Sequence, residues 1–172
     1  MKNLLFALIA FVALGSVVGC KKDDNDMQTK NEFSYDGTTY ALARGYVSNN
    51  GIGGIGFFDI DVLLVSDGVS FNSANSLEGT GHYIFLDLNS ADTNLAEGTY
   101  NWNAARVDFS IISGSEMVVA NEIGTTNGTR APATGGSVTI AKDGTETSVT
   151  FNLTFADGKT ASGTFKGVLE DY

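Results

Sequence analysis

The chain has 172 residues, with 10 Lys and Arg against 20 Asp and Glu, a formal charge of −10, and one histidine and one cysteine. That balance excludes a nucleic-acid partner and direct docking on anionic lipid, because like charges repel. A single histidine excludes histidine-paired metal sites, and 21 glycines with one proline at a low charged fraction point to many turns joining strands.

Met1-Lys2-Asn3 makes a positive start, and Leu4 to Val18 is an uncharged apolar run, which is the layout of a secretory signal. A stable bilayer span takes about 20 apolar residues, and this run ends short of that at Lys21 and Lys22, so a cleaved leader is expected. Val17-Val18-Gly19-Cys20 resembles the lipobox of bacterial lipoproteins. The resemblance implies cleavage before Cys20 and acylation of its thiol and new amino group, with each buried methylene contributing about 0.8 kcal/mol of membrane affinity. Cys20-Lys21-Lys22-Asp23-Asp24 is similar to the export signal of Bacteroidota-type surface lipoproteins, with Lys21, Lys22, Asp23 and Asp24 as the signal residues. That likeness implies an outer-membrane protein facing the cell exterior, held by lipid on Cys20. The implied domain plan is a signal peptide over 1–19, lipidated cysteine and charged tether over 20–31, and one folded domain over 32–172.

Acylation of Cys20 would leave no thiol for a disulfide, so stability must come from a core, and about 150 residues suffice for one. Glu32 to Tyr35 and Thr38 to Leu42 flank Asp36-Gly37, a hairpin signal of the type I′ kind. Gly51-Ile52-Gly53-Gly54-Ile55-Gly56 spells GxGxxG, but a dinucleotide site needs a helix next. The next segment, Phe57 to Val65, instead alternates with period two. The glycines therefore read as a hairpin loop or bulge. Phe58, Ile60, Val62 and Leu64 share one strand face, while Phe57, Asp59, Asp61 and Leu63 share the other.

Residues 66–81 read as a long polar loop or a loop with a short strand. His82 to Leu88 is a strand with Ile84, Leu86 and Leu88 on one face and Tyr83, Phe85 and Asp87 on the other. Residues 89–98 form another loop, Thr99 to Trp102 resumes strand, and Val107 to Ile111 alternates again. Residues 121–136, with Pro132, read as a mobile connection. Three closing strands, 137–140, 147–155 and 160–169, form an antiparallel meander with Val149, Phe151, Leu153 and Phe155 inward. No stretch after Cys20 shows helical periodicity. The expected fold is all-β, an antiparallel β-sandwich of about nine or ten short strands, with a calycin-like barrel as the alternative.

No sequence motif assigns a catalytic set, and no pattern requires a cofactor. A Ser-His-Asp triad would have to be built on His82, which opens a strand. Asp59 and Asp61 lie on one strand face about 7 Å apart, with Asp87 joining them if the two strands are neighbours. Such carboxylates have the spacing of a glycosidase pair, and also the oxygen chemistry of a calcium site. Asp87, Asn89, Asp92 and Asn94 form a second, weaker calcium set, without EF-hand spacing. Tyr100 and Trp102 share a strand face, and exposed rings beside amides would suit a sugar; Tyr83 offers the same. The expectation is a non-catalytic, lipid-anchored binding domain for a glycan or an envelope protein, acting through loops 66–81, 89–98 and 121–136. The alternative is a structural or accessory envelope protein with no small ligand, and a carboxylate-dependent glycosidase comes third.

Overall fold

A computed structural model describes residues 30–172. Cys20 and the export-signal residues Lys21, Lys22, Asp23 and Asp24 lie outside the described residues. The domain is all-β, with 13 strands in the order β1 (Glu32–Tyr35), β2 (Thr38–Ala41), β3 (Arg44–Gly54), β4 (Phe57–Val65), β5 (Val69–Phe71), β6 (Leu77–Ser90), β7 (Gly98–Trp102), β8 (Ser110–Ile111), β9 (Glu116–Glu122), β10 (Thr129–Asp143), β11 (Glu146–Phe155), β12 (Thr160–Gly167) and β13 (Leu169–Asp171). That exceeds the nine or ten expected, because short pairings such as β5, β8 and β13 carry too little periodicity to be read from sequence.

The strands join into one continuous sheet, ordered β13-β3-β4-β6-β8-β7-β10-β11-β12-β1-β2, with β9 bridging β6 and β10 and β5 added to β6. Most pairs are antiparallel; β13 runs parallel to β3, and β7 parallel to β8. The chain leaves β12 at one part of the sheet and lays β13 on β3 at the other, so the sheet folds over itself. Its inner faces meet in one core. Ile60, Val62 and Leu64 of β4 and Ile84, Leu86 and Leu88 of β6 pack there with Val149, Phe151, Leu153 and Phe155 of β11, as their alternation dictates. Each fully buried aliphatic side chain of this kind contributes about 1.5 to 3 kcal/mol.

Local chemistry explains the corners. Asp36 and Gly37 both take positive φ, 50° and 77°, as the type I′ turn between β1 and β2 requires. The GxGxxG segment is the β3–β4 hairpin, with register shifts between Asn49 and Gly51 and between Ile52 and Gly54. Gly136 has φ 124°, at the point where β10 shifts register against β11 and passes from pairing with β9 to pairing with β7. A side chain there would strike the Asn152 carbonyl oxygen, so only glycine allows this bend.

Two expected segments differ. The connection expected over residues 121–136 shrinks to residues 123–128: β9 runs to Glu122 and β10 begins at Thr129, with Pro132 opposite Glu116. The strand expected over Val107 to Ile111 shrinks to Ser110–Ile111, because Phe109 adopts a positive φ of 51°. Residues 66–81 form the β5–β6 hairpin, which folds over the outer face of β4. It buries Leu63 and Val65 with Tyr46, Val69, Tyr83 and Val118 in a second cluster. Both faces of that end of β4 are therefore covered, which is why Phe57 to Val65 is so apolar.

Candidate functional site

The strand register brings the acidic residues together. Asp61 pairs with Asp87 and Asp59 with Asn89 across β4 and β6, on the outer face. One carboxylate oxygen from each of Asp59, Asp61 and Asp87 lies within 4.8 Å of the others. Arg106, from the segment between β7 and β8, closes over them, 2.7 Å from Asp59 and 3.8 Å from Asp87. Its Nε donates to Asn89 Oδ1 at 3.1 Å, and its guanidinium sits 5.8 Å from the centre of the Phe57 ring. Asn50 Nδ2 donates to Asp61 at 2.8 Å.

Crowding decides the protonation states. Burial raises the Asp61 carboxyl, with the Asn50 hydrogen bond opposing. Asp87 is pushed up to about 6, first by burial and then by the charges of Asp59 and Asp61, against the pull of Arg106. A carboxyl near 6 beside other carboxylates is the profile of a general acid, but Asp87 is hemmed in by the segment folded over it. Asp87 Oδ1 is buried without a hydrogen-bond partner, and the backbone of Gly114 lies against Oδ2 so closely that a Cβ there would collide with it. The Asp87 amide donates to Ser115 Oγ at 2.9 Å and its carbonyl accepts from Ile112 N–H at 3.1 Å. Asp87 is thus the anchor under a folded-over segment, and the cluster works as a clamp holding residues 103–115 to β4 and β6.

The second calcium set does not assemble. Asn89 is buried, with its amide donating to Ser110 Oγ at 2.7 Å and its carbonyl oxygen held by Arg106. Asp92 and Asn94 sit on an exposed turn beyond Ser90, whose hydroxyl donates to the Asn94 carbonyl at 2.8 Å. Asp87 and Asn89 share the outer face of β6, but Asn89 is held by Ser110 and Arg106, and the chain turns away before Asp92 and Asn94.

The aromatic platform is corrected as well. Tyr100 is 0% exposed and its hydroxyl donates to the Ala96 carbonyl at 2.9 Å; it is a core residue. Trp102, on the same face, packs half-buried against that core. Tyr83 is buried at 6% exposure, its hydroxyl donating to Glu116 at 2.8 Å and accepting from Arg130 at 2.9 Å. Burial, then the Glu116 hydrogen bond, pushes the Tyr83 phenol up to about 12. Neither Tyr100 nor Tyr83 offers an exposed ring face. His82 packs edge-on to Tyr40, ring centres 4.7 Å apart, and burial holds its imidazole below the usual range.

A different surface emerges where the consecutive strands β10, β11 and β12 pair with β1 from the start of the domain. On the outer face of β1, β12, β11 and β10 lies an open groove of about 910 Å³. Register lines up Ser34, Ser162, Asn152 and Ser137 in one row across the four strands, and Glu32, Thr164, Thr150 and Thr139 in the next. The rows continue onto β7 as Asn101 and Thr99, with the Thr99 and Thr139 hydroxyls 3.0 Å apart. Among the described residues, no hydrogen bond within the chain engages the side chains of Ser137, Thr150, Asn152 or Ser162. They present hydroxyl and amide groups at strand spacing, about 4.8 Å apart. Gly163, beside Ser162, lets β12 lie tight against β1: a Cβ there would run into Glu32 O and Phe33 Cβ.

The chain matches no family model, no curated protein and no solved structure. The chemistry of these side chains is therefore the ground for assigning a role. In the sequence, the groove shows only as Ser, Thr and Asn at the outward positions 150, 152 and 154, a pattern that any solvated strand face shares. Arg106 carries no periodic signal, because it lies in an irregular segment, although an arginine is conspicuous in so acidic a chain.

Proposed function

We propose that this protein is a lipid-anchored, surface-exposed envelope lipoprotein whose β-domain is a non-catalytic binding module, and that its groove takes a neutral glycan chain. The anchoring half of this reading rests on the lipobox ending at Cys20 and the basic-acidic run behind it. The observation that carries the binding half is the set of side chains on β10, β11 and β12, Ser137, Thr150, Asn152 and Ser162, whose hydroxyls and amide line the groove with no hydrogen bond inside the described chain. A polyhydroxylated chain matches such groups donor for acceptor. Only Glu32 and Lys30 bring charge to the lining, so nothing there selects a polyanion, and the acidic chain as a whole opposes one.

Affinity should be modest. A net hydrogen bond contributes about 0.5 to 1.5 kcal/mol, no exposed aromatic ring adds stacking among the groove residues, and association itself costs several kcal/mol. Multivalent display on a cell surface compensates for weak single sites. The test is migration in gels containing neutral polysaccharides. Retardation of the protein by at least one polysaccharide, lost in Ser162→Trp, supports the reading; unretarded migration in every gel rejects it.

The second reading, an accessory protein in an envelope complex, is favoured by the β3–β4 hairpin tip. Ile52 and Ile55 stand 80% and 104% exposed there, beside glycines that give the tip no other side chains. Such a tip suits a protein contact. Crosslinking from position 55 on intact cells distinguishes the two readings.

A further inference from the structure

A second cavity lies where the folded sheet fails to close, between β3 and β13, the turn after Ser90, and the β10–β11 turn. It holds about 210 Å³. Its floor is apolar: Ile60 is fully buried, Leu95 is 5% exposed, and Leu169 packs partly buried against the core. Its rim is polar, with Thr147, Asn94, Lys142 and Asp171. Thr147 is only 8% exposed, yet among the described residues its hydroxyl has no hydrogen-bond partner and is not sealed from solvent. A mostly buried threonine whose hydroxyl is free toward a cavity offers a hydrogen bond that a ligand can take in place of water.

We infer that this cavity binds one neutral monosaccharide, free or at the end of a glycan, through an apolar ring face or methyl group on the floor and hydroxyls on the rim. The inference rests on the proposed glycan function and names the sugar end it would capture. Size sets the limit. The cavity displaces on the order of seven waters, enough for one pyranose ring and too little for two. Charge sets the class: the rim carries one ammonium and one carboxylate, Lys142 and Asp171, so no net charge selects an ion. Both are strong partners for sugar hydroxyls, as charge-assisted hydrogen bonds are stronger than neutral ones. A purely aliphatic ligand would use the apolar floor and none of the polar groups around it, so the mixed lining fits a ligand with both an apolar face and hydroxyls better.

Saturation-transfer NMR on the full chain with glucose, galactose, mannose, rhamnose, fucose and N-acetylglucosamine tests this. At least one sugar is expected to show transfer, strongest on the hydrogens of its apolar face, with affinity reduced fivefold or more by Thr147→Val and by Asp171→Ala. Thr147→Val keeps the shape of the side chain; if it fails to fold, Asp171→Ala on the exposed rim gives the same comparison. Transfer from no sugar, or transfer indifferent to the foldable variants, overturns the proposal. Ser162→Trp separates this site from the groove. Monosaccharide binding that survives it while polysaccharide retardation is lost supports two sites. Polysaccharide retardation without any monosaccharide signal overturns the cavity and leaves the groove, whereas absence of both overturns the glycan reading itself.

Discussion

Replacing Asp87 by Asn removes a carboxyl that the fold pushes up to about 6. In the unfolded chain Asp87 titrates near 3.8, whereas in the folded clamp it is pushed up to about 6. The folded state therefore binds the proton more tightly. The corresponding stabilisation is complete below pH 3.8 and is lost as pH rises through about 6. A shift of this size for a fully shielded group would correspond to about 3 kcal/mol. Asp87, Asp59 and Arg106 keep 19%, 23% and 39% of their side-chain surfaces in solvent, and that contact screens the effect to on the order of 1 to 2 kcal/mol. Asp87→Asn cannot ionise, so the stability of the variant relative to the native chain should climb by that amount between pH 4 and pH 7. Any constant offset from seating an amide against Gly114 drops out of the comparison. Urea unfolding followed by Trp102 fluorescence reads it directly, as a relative midpoint change of about 0.5 to 1 M across the pH range. A gap that stays constant with pH, or shrinks toward pH 7, refutes the assignment of Asp87 as the strained carboxyl of the clamp.

Other consequences are independent of that cluster. Gly136→Ala should cost about 2 kcal/mol or more, since its φ of 124° and the nearby Asn152 carbonyl both oppose a Cβ, and a lowered thermal midpoint checks it. Tyr100→Phe should cost about 1 kcal/mol through the lost hydrogen bond to Ala96. Tyr100→Ala should cost about 3 to 5 kcal/mol as a core cavity. In gels run under folding conditions, Tyr100→Phe should leave polysaccharide retardation unchanged. Asn152→Ala should weaken that retardation by about 1 kcal/mol, near fivefold in affinity, with unfolding unaffected because the side chain is exposed. Cys20→Ala should move the protein from membrane to soluble fractions; continued membrane association would sink the lipid anchor.

Alternation makes the inward faces of β4, β6 and β11 legible, because Ile60, Val62, Leu64 and their counterparts repeat at the period of a strand. Asp36-Gly37 marks the β1–β2 turn, and Gly144 the β10–β11 turn, because each needs positive φ. Parity also places Tyr100 and Trp102 on one face, but parity does not say which face is inward, and the core claims Tyr100. The clamp is half visible: Asp59 and Asp61 follow from spacing and Asp87 from neighbouring strands, whereas Arg106 reaches them from a segment whose path depends on Phe109 at positive φ. The groove is hidden for a deeper reason. Its rows carry the consecutive strands β10, β11 and β12 onto β1, joining Ser34 to Ser162, a pairing between strands at opposite ends of the described chain. The β10 bend is hidden because Gly135-Gly136 and Pro132 signal a loop locally, while pairing with β9 and β11 overrides that signal.

The binding surface itself is the point most open to direct measurement. Backbone amide chemical shifts of the full chain should be mapped during titration with whichever neutral polysaccharide retards it. A glycan seated in the groove predicts that the largest changes fall on Ser137, Thr150, Asn152 and Ser162 across β10, β11 and β12. Changes confined to the Asp59–Asp87–Arg106 clamp or to the Ile52–Ile55 tip, with those four amides unmoved, would contradict it.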